Sequence, residues 1–271
     1  MTLSLPAKRF ILAAVDTSPQ SLAALEAAAR VAAHLNAEVR AMYVEDINLV
    51  RTAELPFARA IASSGQSHPL TPGSLEHQLR RQADIARRAV ETACTRSAIA
   101  WSFSVVRGAV IREIVRAASA AEIVTVGRSG SSGRRGSRMG SVTRSLLEQG
   151  AMSLLMVGSR GAAGPIVVVY DGSPSSDRAL ALAVALAENH AASFTVILAG
   201  ESRELGAQAA ARLEQTGIRA VFETFTAPLE LIESLCRPGT GTMVVPATVF
   251  ADTLQRSSLV ESLSCSVFVV R

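Results

Sequence analysis

Short apolar runs separated by amphipathic stretches set the pattern of this chain. Phe10 to Val15 is a continuous apolar run closed by Asp16, the length and character of a strand buried on both faces. Ser18 can accept a helix-capping hydrogen bond, Pro19 suits the first helical position, and alanine-rich periodicity continues to about Leu35. Val39 to Val44 predicts a second strand. From Asp46 to about Pro72 the chain turns polar and proline-containing, which predicts a long excursion. Helical spacing returns around Ser74 to Thr95, followed by a strand at Ala100 to Val106, a helix near Val110 to Ala120 and a strand at Ile123 to Val126. A glycine-rich loop, a helix around Ser141 to Glu148 and a strand at Ser153 to Val157 come next. Five short strands alternating with helices predict an α/β fold with a parallel, doubly wound sheet.

The pattern then repeats. With Phe10 to Glu45 placed over Pro165 to Gly200 at a constant offset of 155, Asp16 meets Asp171, Ser18 meets Ser173, Pro19 meets Pro174 and Ser21 meets Ser176. Ala24, Leu25, Ala28 and Ala32 meet Ala179, Leu180, Ala183 and Ala187. Two copies of one five-stranded unit are expected, residues 1–160 and 165–271, joined near Ser159 to Gly164 where Gly, Ser and Ala cluster. The second copy is trimmed: Val44 to Val126 spans 82 positions and Ala199 to Val245 only 46. Most of the difference corresponds to the excursion.

Composition narrows the class. At 271 residues, 49% hydrophobic and 18% charged, the chain is globular rather than disordered, and its 4% aromatics leave the core to Ala, Val, Leu and Ile. No apolar stretch approaches the length of a membrane span, and Asp16 ends the first run too early for a signal-peptide core. Three widely spaced cysteines, Cys94, Cys236 and Cys265, argue against a disulfide framework and fit a reducing cytoplasm. The net charge of +4 is local: Arg128, Arg134, Arg135, Arg138 and Arg144 fall between Gly127 and Leu147 with no acid among them, and the remainder is near neutral. A local basic segment points to an anion site and not to a broad nucleic-acid surface; the alternative is a solvated arginine loop.

That segment carries the candidate chemistry. Gly127, Gly130 and Gly140-Ser141 form the pattern G-x2-G-x9-G-S directly after a predicted strand. Glycines there let backbone N–H groups approach phosphate oxygens, and Ser141 opens a helix whose unpaired N–H groups favour an anion. A flexible connector has the same composition, but ligands bind at the carboxyl ends of strands in such sheets. Asp16, at another strand end, can accept from a ribose hydroxyl or serve as a cap acid. Lys8 is the only lysine, so a G-K-[ST] phosphate loop is excluded; G-x-G-x-x-G after an opening strand, G-x-S-x-G and histidine metal pairs are absent. His34 and His190 fall near helix ends, His68 and His77 in or beside the excursion, and Trp101 with Phe103 reads as core.

With these residues in view, the sequence resembles a tandem member of the universal stress protein family. The resemblance rests on Val15-Asp16-Thr17-Ser18, on the Gly127/Gly130/Gly140-Ser141 spacing and on the closing strand Leu154 to Val157, and it covers nearly all of both halves. It implies ATP, with Mg left open, held at Ala14, Val15, Asp16, Val44, Val126, Gly127, Arg128, Gly130, Gly140, Ser141 and Val142. Asp16 would meet the nucleoside, the Val44 backbone the adenine, and the glycines with Ser141 and Val142 the ribose and phosphates. It also implies pairing of the closing strands, either in a homodimer or between Leu154 to Val157 and Val267 to Val270 of one chain as a pseudo-dimer. Alignment of the closing strands at an offset of 113 puts Thr253-Leu254 at Gly140-Ser141, and Pro246 falls at Gly127, so the second copy would hold no ATP in this manner. The expected function is nucleotide-dependent stress adaptation through an unidentified protein partner in the cytoplasm. A slow ATPase or autophosphorylating enzyme needs a general base, for which Asp16 is the sole candidate beside the motif. A nucleotide-independent scaffold is the other alternative, and no catalytic or metal-binding residue is assigned.

Overall fold

The computed structural model describes residues 9–61, 64–129, 139–149, 152–158, 161–162, 164–187, 193–200, 202–225, 239–251 and 265–271. The first half runs β1 (Phe10–Ala14), α1 (Pro19–Leu35), β2 (Glu38–Asp46), α2 (Ile47–Ala53), β3 (Arg59–Ile61), β4 (Ser67–Pro69), α3 (Pro72–Arg96), β5 (Trp101–Gly108), α4 (Val110–Ala118), β6 (Ile123–Gly127), α5 (Ser141–Gln149) and β7 (Ser153–Val157). The second half runs β8 (Ile166–Tyr170), α6 (Pro174–Ala187), β9 (Phe194–Ala199), α7 (Arg203–Glu214), β10 (Ala220–Phe225), β11 (Thr242–Pro246), a helical turn at Ala247–Val249 and β12 (Ser266–Val270).

Ten strands form one sheet in the order β10-β9-β8-β11-β12-β7-β6-β1-β2-β5. Within this ten-stranded sheet the strands of each half pair parallel, and β7 and β12 meet antiparallel, with Met156 opposite Val267, Leu155 opposite Phe268 and Leu154 opposite Val269. The pairing of closing strands that the resemblance implies therefore occurs within the chain. A local two-fold relates the two ends of this pair. Gly158 N–H donates to Ser266 Oγ at 3.0 Å, and Arg271 N–H donates to Ser153 Oγ at 3.1 Å. Because β12 runs against β7, the carboxyl ends of the first five strands lie at one edge of the sheet and those of the second five at the opposite edge.

Strand alternation sorts side chains into two cores, one on each face. Ile11, Ala13 and Val15 join residues of α1 and α3, whereas Phe10 and Leu12 join Ile114 of α4 and Leu146 of α5. Both cores continue into the second half, through Tyr170 and Phe268 on one face and Val167 and Met243 on the other. The helix α1 starts as its sequence dictates: Ser18 Oγ accepts from Ser21 N–H at 3.2 Å, Pro19 opens the first turn, and Asn36 ends the helix in the left-handed region at φ 50°. The halves also meet where Arg30 of α1 donates to Ala162 O at 2.9 Å and where Arg178 of α6 pairs with Glu122 at 3.5 Å.

Two segments differ from expectation. The excursion is not merely polar loop: Asp46 caps α2 through Asn48 N–H at 2.9 Å, and Ala53 packs with Leu75 and Leu79 of α3 in a small separate core. An exposed antiparallel hairpin, β3–β4, follows, held by Arg59 to Ser67. The strand β2 runs two residues past Val44 because Glu45 and Asp46 pair with Arg107 and Gly108 of β5, and Arg107 binds the nearly buried Glu45 carboxylate at 2.8 Å. Cys94 lies in the core, where burial pushes its thiol up to about 11. Among the described residues no helix is long and apolar enough to cross a membrane.

Phe268, fully buried at the central pair, should be costly to truncate. Phe268→Ala is expected to lower the unfolding free energy by about 3–5 kcal/mol in urea denaturation; a loss comparable to that of a surface change would show that the central pair does not hold the sheet.

Candidate functional site

In the first half, β1 pairs with β2 on one side and with β6 on the other. Chain connections leave in opposite directions from β1 and β6, so the crevice at their carboxyl ends is a topological switch point. Three groups of residues that lie far apart in sequence converge on it. Ala14 ends β1, with Val15 and Asp16 just after it; Val126 and Gly127 end β6, with Arg128 just after; Gly140 precedes α5, which Ser141 and Val142 begin. Val44 lies near the end of β2, partly buried with Ala14 and Val142 against the same core. Gly130, Arg134, Arg135 and Arg138 lie outside the described residues.

The turn after β1 is built on Asp16. Ser18 N–H donates to Asp16 Oδ1 at 3.1 Å, and Asp16 N–H donates to Ser21 Oγ at 2.9 Å. Thr17 between them holds φ at 63°. A β-branched residue in the left-handed region costs roughly 1–3 kcal/mol and marks a turn fixed by its surroundings. Its counterpart in the second half, Gly172, adopts φ 78° without that penalty. The charge of Asp16 reaches Tyr43, whose hydroxyl is pushed up to about 12, chiefly by burial and further by Glu45 and Asp16. Tyr43 therefore stays protonated and donates to Gln82 Oε1 at 2.8 Å.

The opposite wall is pinned by short contacts. A Cβ on Gly127 would lie 3.0 Å from Ser21 N and 3.1 Å from Gln20 Cβ, so glycine is needed there for the first turn of α1 to lie against β6. Gly140 N–H donates to Arg128 O at 2.8 Å, and Thr143 Oγ1 donates to Gly127 O at 3.3 Å. These bonds set the start of α5 beside the end of β6. Ser141 is exposed there, at a helix end whose first N–H groups have no intrahelical acceptor. Such an arrangement can receive an anion. The Arg128 side chain is half-buried, its Nη1 shielded and without a hydrogen-bond partner among the described residues. Burial pushes the guanidinium pKa down, while Cys265, just before β12, opposes the shift. Its backbone thus belongs to the crevice and its charge interacts with the second half.

Gln20, Ser21 and Thr143 join the residues that the sequence marks. Ser21 recurs as Ser176 in the repeat, which is a usable signal; Gln20 and Thr143 act through partners distant along the chain.

The corresponding crevice of the second half is arranged differently. Asp171 Oδ1 accepts from Ser173 N–H at 2.9 Å and from Ser173 Oγ at 2.5 Å, and Asp171 Oδ2 accepts from Thr248 Oγ1 at 3.3 Å, across the gap to the turn after β11. Burial opposes ionisation of Asp171, but these hydrogen bonds outweigh it and hold the carboxyl below its ordinary value. Pro246 ends β11 where Gly127 ends β6, and a Cβ on Gly172 would lie 2.7 Å from Leu205 Cδ2. Thr253 and Leu254 lie outside the described residues.

Fold and crevice together define a doubly wound α/β protein of two joined parallel halves. The universal stress protein family profile matches residues 9–158 and 163–221. The chain belongs to that family. A universal stress protein from Archaeoglobus fulgidus DSM 4304 is 16% identical, with 96% of this chain and 97% of that one covered and a TM-score of 0.58. A functionally unknown protein from Pseudomonas aeruginosa PAO1 is 12% identical, with 97% and 92% covered and a TM-score of 0.59. A further universal stress protein, solved in complex with cAMP, is 19% identical and covers 56% of this chain and 99% of its own, with a TM-score of 0.40. No curated relative matches the chain.

Gly127 has a packing duty that needs no ligand. Gly127→Ala is expected to cost about 1–3 kcal/mol of stability in ligand-free protein, the usual penalty for overpacking; an unchanged melting temperature would mean that α1 does not press on β6 as described.

Proposed function

We propose that this chain binds an adenine nucleotide, ATP, in the crevice between β1 and β6, and that occupancy governs its binding to a protein partner in stress adaptation. Residues 1–160 form the nucleotide-binding unit in this reading, and residues 165–271 a degenerate copy. The observation that carries it is the contrast between the two crevices. In the first, the β1 turn at Asp16 stands opposite the β6–α5 junction of Gly127, Arg128, Gly140 and Ser141. In the second, Thr248 reaches across to Asp171 and Leu205 packs over the turn.

The residues present fit the ligand. Asp16 accepts from the ribose or base edge, the backbone beside Val44 faces the adenine, and Ala14, Val15 and Val126 form the floor. The phosphates lie toward Ser141 and Val142, where helix N–H groups and the Ser141 hydroxyl donate. The arginines beyond Arg128 in the segment from Gly127 to Leu147 supply charge complementary to the phosphates, and a Mg ion would arrive on those phosphates. ATP contributes a charged, multidentate ligand whose binding favours one arrangement of this junction; the differential affinity for that arrangement drives the coupling to a partner.

Asp16→Asn and Asp171→Asn separate a ligand role from a turn role, since both acids bind the N–H of the serine two residues on. Asp16→Asn is expected to weaken ATP by about 1.5–3 kcal/mol in calorimetric titration, the range for a hydrogen bond to a charged group. Asp171→Asn is expected to leave ATP affinity unchanged. Equal ATP affinity in wild type and Asp16→Asn would remove the acid from the site.

A further inference from the structure

One side chain ties the first turn of α1 to the stretch just after β6. Gln20, in the first turn of α1, places Oε1 2.9 Å from the Ser129 nitrogen and 2.7 Å from Ser129 Oγ, accepting from both. Ser129 follows Arg128, whose carbonyl receives Gly140 N–H at 2.8 Å, so the stretch that leaves at Ser129 returns at the same point. Thr143 fastens that point to the end of β6. Gln20 thus ties this junction by hydrogen bonds to the first turn of α1, four residues after Asp16 along the chain.

The backbone of Gln20 has little freedom. Its Cβ would stand 3.1 Å from a Cβ on Gly127, so α1 sits as close to β6 as glycine allows. Both lone pairs of Oε1 are directed at Ser129, one toward the backbone and one toward the hydroxyl. The second half does not reproduce this device. The counterpart of Gln20 is Ser175, whose short hydroxyl lies 2.9 Å from Ser173 Oγ on its own turn, and there the acid Asp171 makes the crossing to Thr248.

We infer that Gln20 is a positioning residue for phosphate recognition. By holding Ser129 it fixes the separation between the nucleoside end of the crevice at Asp16 and the start of α5, where phosphates are received. Donors already in place need no ordering when the ligand arrives, so Gln20 raises affinity for the phosphate chain and leaves affinity for the nucleoside nearly unchanged. This inference rests on the nucleotide reading above.

The test uses the full chain, Gln20→Ala and Gln20→Glu, with amide hydrogen exchange in ligand-free protein and dissociation constants for ATP and for adenosine. In Gln20→Ala, exchange at Ser129 and Gly140 is expected to accelerate about tenfold or more as the junction opens. ATP is expected to weaken about tenfold while adenosine changes by less than about twofold. Gln20→Glu, which keeps an acceptor for both Ser129 donors, is expected to restore slow exchange. Unchanged exchange in Gln20→Ala, or equal losses for ATP and adenosine, would overturn the inference. If wild type binds neither ligand while exchange still responds to Gln20→Ala, the nucleotide reading falls and takes the phosphate role with it, leaving Gln20 as a structural clamp.

Discussion

The antiparallel meeting of β7 and β12 is the constraint from which the rest of the molecule follows. Each half, taken alone, would leave a largely apolar closing strand at a sheet edge, a row of unpaired N–H and C=O groups open to other chains. Pairing Leu154 to Met156 with Val267 to Val269 removes both edges at once and lets two cores run through the entire ten-stranded sheet. The same pairing reverses the second half, sending its strand ends to the far edge. Two crevices therefore lie at opposite ends of one sheet, and each is free to diverge without steric conflict with the other.

That divergence is visible in how each half spends the same elements. Both keep an acid after the opening strand and a serine cap after it, and both force the residue between them into the left-handed region. In the second half glycine accepts that conformation and the acid is drawn across the crevice by Thr248. In the first half threonine bears the strain, and a glutamine from α1 binds Ser129 just after β6. Such strain persists where the surrounding hydrogen bonds fix the turn, as Ser18 and Ser21 do here. The two halves are thus a controlled comparison inside one chain: equal scaffolds, with one crevice crossed by its own acid and the other framed by the β6–α5 junction.

Much of this was legible in the sequence because it rests on local rules. Ser18-Pro19 announces the start of α1, short apolar runs announce strands covered on both faces, and the constant offset of 155 exposes the repeat. The Gly127 and Gly140-Ser141 spacing located the junction after β6, although the close approach of α1, which also demands Gly127, could not be read from spacing. What stayed hidden depends on long-range partners. Gln20 gains its meaning from Ser129, 109 residues away, and nothing in its neighbourhood marks it. The last two residues of β2 are strand because Arg107 satisfies Glu45, and the hairpin β3–β4 sits in a stretch whose polarity reads as loop.

The most direct check on the account is to follow backbone amide resonances of the full chain as ATP is added. Saturable shifts are expected at Ser129, Gly140, Ser141 and Val142 together with Asp16, and none at Asp171, Ser173 or Thr248. Saturable shifts confined to the second set, or of equal size at both, would contradict the claim that only the crevice between β1 and β6 is built to hold a nucleotide.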